Sequence, residues 1–226
     1  MSTAPARRPR PAPADDPESP SYSEVRIISP QVIDELILHR RALNIDRWDE
    51  VWDGAYVVMP DPDIEHQGLV ARFTIILGLI VELAGLGQIF AGCNVSDRES
   101  DWTKNYRRPD LAIYLDGNPA EAHDAFWLGG PDFAIEILSK GDSARRKLDF
   151  YAKVKTRELL LVDRDPWAIE LYRLRRGKLV LVGRQTPGQA EVLASKVLPL
   201  SFRLTRGRPR PKVEVAHADG RQRWSV

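Results

Sequence analysis

The segment PDFAIEILSK, Pro131 to Lys140, sets the strongest constraint on the fold. It is an apolar, β-branched run that opens on Pro-Asp and carries one carboxylate, Glu136, between Ile135 and Ile137. Such a run reads as a strand. Side chains alternate along a strand, so Phe133, Ile135 and Ile137 share one face and Asp132, Ala134, Glu136 and Leu138 the other. A charge in a buried strand costs several kcal/mol unless it is paired or holds a metal. The run is therefore expected either as a half-exposed strand with Glu136 toward solvent or a cleft, or as one wall of a charged site.

The neighbouring segments give the setting. PDLAIYLDGN, beginning at Pro109, repeats the Pro-Asp opening and reads as a second strand. Ser29-Pro30 reads as the start of a helix with proline in its first turn, and QVIDELILHRRAL continues with an apolar stripe. DEVWDGAYVVMP reads as a hairpin turning at Asp53-Gly54. Asp63 is placed to cap a helix that reaches about Gly85 and carries His66 in its first turn. QIFAGCNV and ELLLVD read as strands, and AIELYRL and KLVLVG as a hairpin about an Arg-Gly turn. A helix is expected from Asp142 or Ser143 to about Val154. This order implies an α/β (mixed α+β) domain with a mixed central sheet flanked by helices.

A Pro-, Arg- and Asp-rich tail is expected over residues 1–24, because its composition cannot offset the entropy of ordering. Residues 25–205 are expected as the folded domain and 206–226 as a loose basic tail. A nucleic-acid contact through Arg7, Arg8 and Arg10 is the less favoured reading of the first tail. The net charge of +1 gives no overall field for nucleic acid, although a local patch suffices for binding. The single cysteine, Cys93, excludes an intrachain disulfide and fits a reducing, cytoplasmic setting. No secretory signal is visible in the first twenty residues. FTIILGLIVELAGLG, from Phe73, is interrupted by Thr74 and Glu82 and reads as a buried helix, not a membrane span.

Asp110 at the opening of one apolar strand and Glu136 within the other can converge if the strands are neighbours. Two hard oxygen ligands suit Mg²⁺ or Mn²⁺. Asp132 lies four residues from Glu136, roughly 13 Å at about 3.3 Å per residue, too far to share one ion. It reads as a turn residue. Lys147 and Tyr151 share a face of the next helix at spacing i, i+4. A lysine there can return toward Glu136, whereas Lys140 sits in a turn, Lys140-Gly141-Asp142. The bland alternative is a solvated cationic helix surface formed with Arg145, Arg146, Lys153 and Lys155.

RRPDLAIY, GGPDFAIEILS and KLDFYAKVKTRELLLVD resemble the Uma-type restriction-endonuclease family within the PD-(D/E)xK nuclease superfamily. DGAYVVMPDPDIEHQGLVARFTIILGLI resembles that family's early hairpin, histidine and long helix. The resemblance spans about residues 45–200. It implies a restriction-endonuclease-like core and Mg²⁺- or Mn²⁺-dependent hydrolysis of DNA phosphodiesters. It matches Asp110 to the Asp of the PD motif, Glu136 to the second-strand acid, Lys147 to a lysine moved onto the next helix, and His66 to a histidine of unassigned role. The mechanism read on these residues adds the carbonyl of Ile137 as a third metal ligand and Arg108 and Tyr151 as substrate contacts, with a merely solvated arginine as the alternative for Arg108; the resemblance and two-strand cleavage suggest a homodimer. The chain departs from the pattern at Leu138, where the superfamily lysine stands, at Ser139-Lys140, at Asp142-Ser143 and at Leu159-Leu160. Two rival readings remain at this point: an inactive nuclease-fold module that binds DNA or a protein, and a phosphoesterase of small nucleotides. The lack of a Gly-rich phosphate loop speaks against the second rival.

Overall fold

The structure, a computed structural model, describes residues 25–139 and 144–226. The tail 1–24, Lys140 and the expected helix start at Asp142 or Ser143 lie outside the described residues. In chain order the elements are β1 (Val25–Ile27), α1 (Pro30–Ala42), β2 (Glu50–Trp52), β3 (Ala55–Val58), α2 (Ile64–Leu77), β4 (Gly87–Ala91), β5 (Val95–Ser96), β6 (Tyr106–Arg107), β7 (Leu111–Leu115), β8 (Glu121–Ala122), β9 (Trp127–Leu128) and β10 (Phe133–Leu138). There follow α3 (Leu148–Lys153), β11 (Glu158–Arg164), β12 (Trp167–Arg175), β13 (Lys178–Gln185), β14 (Leu193–Ala194), β15 (Leu200–Thr205), β16 (Lys212–His217) and β17 (Arg223–Ser225). A 3₁₀ turn, Ala144–Lys147, leads into α3, and a π-helical turn, Gly78–Glu82, extends α2.

The central sheet runs β13-β12-β11-β10-β7-β4. Its one parallel pair is β10 with β11; the other neighbours are antiparallel. Parallel neighbours cannot be joined by a tight hairpin and need a crossover. The 3₁₀ turn and α3 form that crossover, which carries the chain back over the sheet. One face of the sheet packs on α2 through Leu69, Phe73, Ile76 and Leu77. The other packs on Phe150 and Tyr151 of α3 and on Val154 just past its end, against Ala134, Leu138, Leu159 and Leu161. β10 is therefore buried along its whole length, and the half-exposed strand is not what forms. A strand covered on both faces reads as a continuous apolar run, as FAIEIL does.

Two features follow directly from local sequence. Asp53 and Gly54 both take positive φ, 48° and 87°, the backbone a two-residue hairpin turn requires. Asp63 accepts the His66 N–H at 2.8 Å and caps α2, which fixes where His66 points. QIFAGCNV splits into two strands in different sheets, β4 and β5, separated by Gly92 at φ 64°. The second sheet, β1-β3-β2-β6-β5-β9-β8, lays β2 close to α3.

The basic C-terminus is not a loose tail. β16 and β17 join β14 and β15 in a third sheet. Val213, Val215 and Val226 are buried in the same core as α2, with Trp224 packed against it. Alternation of apolar and polar residues, Lys212-Val213-Glu214-Val215, supplies the buried face, and the many arginines mask it when the segment is judged by composition.

The crossover is tied to the sheet by charge. Arg145 pairs with Glu170 of β12 at 2.9 Å and with Asp163 at 2.9 Å, while Arg184 and Tyr172 also donate to Glu170. Burial raises the Glu170 pKa, but the bonds from Arg145 and Tyr172 outweigh it and hold the carboxyl below its ordinary 4.5. A depressed acid stabilises the fold above its unfolded pKa, and that contribution is lost as pH falls through the folded value. Urea midpoints should fall as pH is lowered below 4.5, and Glu170→Gln should show a shallower acid loss than the parent.

Candidate active site

The register of β7 against β10 decides where the carboxylates meet. Phe133 faces Ile113, Ala134 faces Ala112 and Ile135 faces Leu111. One further step sets Asp110 across from Glu136, and residues opposite one another share a sheet face. Here the regular pairing stops. Asp110 Oδ2 accepts the Ile137 N–H at 2.6 Å, in place of a strand partner. Oδ1 of Asp110 lies 3.2 Å from His66 Nε2, brought in by the first turn of α2. His66 Nδ1 is buried with no hydrogen-bond partner among the described residues.

Glu136 is 5% exposed and faces α3. Lys147, 2% exposed, reaches its carboxylate oxygens at 3.1 and 3.3 Å. The Tyr151 hydroxyl donates to Glu136 Oε1 at 2.5 Å. Burial pushes the Glu136 pKa up to about 8; Lys147 opposes that shift, and the charges of Asp110 and Glu50 add to it. Tyr151 is fully enclosed and its hydroxyl is committed to Glu136. That bond holds the Glu136 carboxylate in place. Burial and the Glu136 charge also raise the Tyr151 pKa well above the phenolic range.

The sequence reading missed Glu50. It lies on β2, 1% exposed, and its Oε1 accepts from Lys147 at 2.9 Å and from the Arg108 N–H at 2.8 Å. Its Oε2 accepts from Trp52 at 2.5 Å. The sequence offered no signal for it, since a glutamate in the short hairpin strand Glu50-Val51-Trp52 reads equally well as solvent-facing. Lys147 is thus held between acids from two sheets.

The other expected residues divide. Arg108 stands beside the site, half-buried, but its guanidinium donates to Asn94 Oδ1 at 3.0 and 2.8 Å. Asp132 is buried and structural. It accepts from the Leu115 N–H and Asn118 and pairs with Arg157, so it stays out of the site as expected. Lys140 lies outside the described residues.

Among the described residues no three His, Cys, Asp or Glu side chains already form a metal cage. The donor chemistry nonetheless fits one hard divalent cation. Glu50, Asp110 and Glu136 gather three carboxylates close enough for their charges to act on one another, against the Lys147 ammonium that bridges two of them. That leaves negative charge which a cation would offset, and the oxygen ligands are of the type Mg²⁺ and Mn²⁺ take.

No curated protein matches the chain. Among solved structures it is similar to one described as a "putative nuclease belonging to DUF820" from Anabaena variabilis. The two are 18% identical, with a TM-score of 0.52, and the match covers 65% of this chain and 80% of that one. At this identity the likeness speaks for the fold. The model of the Uma2 family, described as "Putative restriction endonuclease", matches residues 39–207, which take in every site residue named above. With the mixed sheet and its crossover in place, this chain belongs to the Uma2 restriction-endonuclease family.

Proposed function

We propose that residues 25–226 form a metal-dependent endonuclease domain that hydrolyses DNA phosphodiester bonds, with Asp110, Glu136 and Lys147 as its catalytic set. The observation that carries this reading is the register: Asp110 and Glu136 meet across neighbouring strands while the crossover returns Lys147 to them. Asp110, Glu136 and the main-chain carbonyl of Ile137 are the groups that would hold one Mg²⁺ or Mn²⁺. Such a cation, when bound, polarises the phosphate and lowers the pKa of a bound water. Lys147 contributes a fixed positive charge in a dry setting, where it stabilises charge building on the phosphate and orients the attacking water. Tyr151 fixes one oxygen of Glu136. His66 Nε2 steadies Asp110 Oδ1 and so leaves that carboxylate in one orientation. Arg108 adds positive charge at the rim.

The test is cleavage of supercoiled and single-stranded DNA with Mg²⁺ or Mn²⁺. Cutting should be lost in EDTA and in Glu136→Gln or Asp110→Asn. Lys147→Met should cut at least about a hundredfold more slowly than the parent. A Lys147→Met variant as fast as the parent would remove the lysine from the mechanism. DNA that is bound yet uncut with either metal would favour the non-catalytic module instead.

Glu50 acts in this reading as a positioning residue for Lys147. Removing one member of a buried ion pair strands its partner, so Glu50→Ala should lower stability by about 3–5 kcal/mol in urea unfolding. Glu50→Ala combined with Lys147→Met should cost less than the two single changes added together. Strict additivity would show that the pair is not coupled.

A further inference from the structure

Residues 206–226 hold six Lys or Arg against two Asp or Glu, in a chain whose overall charge is only +1. Three of these cations, Arg206, Arg208 and Lys212, are exposed and have no ion pair among the described residues. They cluster at the turn Arg206–Pro211, between β15 and β16. The turn is well fixed: Thr205 pairs with Lys212 at its base, and a Cβ at Gly207 would stand 2.6 Å from the Arg210 carbonyl oxygen.

Its position is fixed as well. Arg210 lies over the Trp167 ring at 5.3 Å and pairs with Glu65 at 3.0 Å. Glu65 immediately precedes His66, the residue that α2 directs at Asp110. Arg164 also pairs with Glu65, and it donates to the Leu138 carbonyl and the Ser139 hydroxyl, just past Glu136 on the same chain. Arg72, exposed on α2, and Arg164 stand close enough to repel the Arg210 charge. Asp63 and Glu65 both pair with Arg164, and Glu65 alone of the two also pairs with Arg210, with Arg72 nearby and the exposed Arg206 and Arg208 on the same turn. The cationic turn is thereby joined through Glu65 to the first turn of α2, which also carries His66.

Exposed cations held at fixed spacing, with too few acids to neutralise them, suit a polyanion whose charges are also spaced along a line. A preorganised turn loses little freedom when it binds. We propose that the Arg206–Pro211 turn is a phosphate-binding surface that grips the nucleic-acid backbone flanking the bond cut at Glu136. This rests on the endonuclease reading for the place of the cut, and on the charge pattern alone for the binding.

The test is fluorescence anisotropy of the full-length chain with a short labelled DNA duplex, in EDTA and over a range of KCl concentrations. Each phosphate contact contributes about 0.9 to the slope of log K against log salt. Arg206→Ala/Arg208→Ala should flatten that slope by about 2, and Arg208→Ala alone by about 1, with the same loss on unrelated sequences. Both side chains are exposed, so thermal melting should match the parent. The charge-matched control is Arg175→Ala/Arg176→Ala, exposed at the far end of β12, roughly 27 Å from Trp167 at about 3.4 Å per residue. It should bind like the parent. An unchanged slope in the double variant, an equal loss in the control, or a parent that does not bind duplex would overturn the proposal. Cleavage assays on the same proteins separate the two readings. Cutting with unchanged slopes rejects the turn and keeps the nuclease. An arginine-dependent slope without cutting keeps the turn and rejects the nuclease.

Discussion

The ammonium of Lys147 is the pivot of the molecule. It joins Glu136 of the central sheet to Glu50 of the second sheet, at 3.1 and 2.9 Å, in a place almost closed to solvent. Taking three charges out of water is expensive, and their attraction balances that cost only when the remaining oxygens are satisfied as well. Tyr151, Trp52 and the Arg108 N–H complete that satisfaction. Everything else in the core is arranged to bring these groups together: the parallel pair that forces a crossover, the 3₁₀ turn that ends on Lys147, and the hairpin that raises Glu50 from below.

Sequence alone carried the strands and their order well, because apolar runs and turn residues are local signals. Asp53-Gly54, the Asp63 cap and the β10–α3–β11 succession are all decided within a few residues of chain. Asp110 and Glu136 were legible for a related reason: an acid inside an apolar strand, as Glu136 is, or at the opening of one, as Asp110 is, interrupts the local pattern, and such interruptions mark places where something else supplies compensation. The register that sets them face to face needed the structure.

What escaped the sequence reading depends on distant partners. Glu50 sits in a short strand where an exposed acid would be unremarkable, and only the second sheet closing on α3 buries it. Tyr151 has the right spacing for a surface contact, yet the cover supplied by the neighbouring aromatic and aliphatic side chains encloses it. The C-terminal strands were masked by their arginines, since composition averages over both faces of a strand and only one face is apolar.

The reach of the Lys147 contacts bears on how the chain folds. Glu50 and Lys147 are 97 residues apart, whereas Glu136 and Lys147 are separated by 11. The nearer pair closes with the crossover itself, a comparatively local event. The farther pair waits for both sheets, and contacts of such separation raise the contact order and slow folding. Until that closure Glu50 remains hydrated. The chain therefore need not carry the desolvation of its most expensive charges through the early stages of collapse, and it meets that cost only when the groups that offset it have arrived.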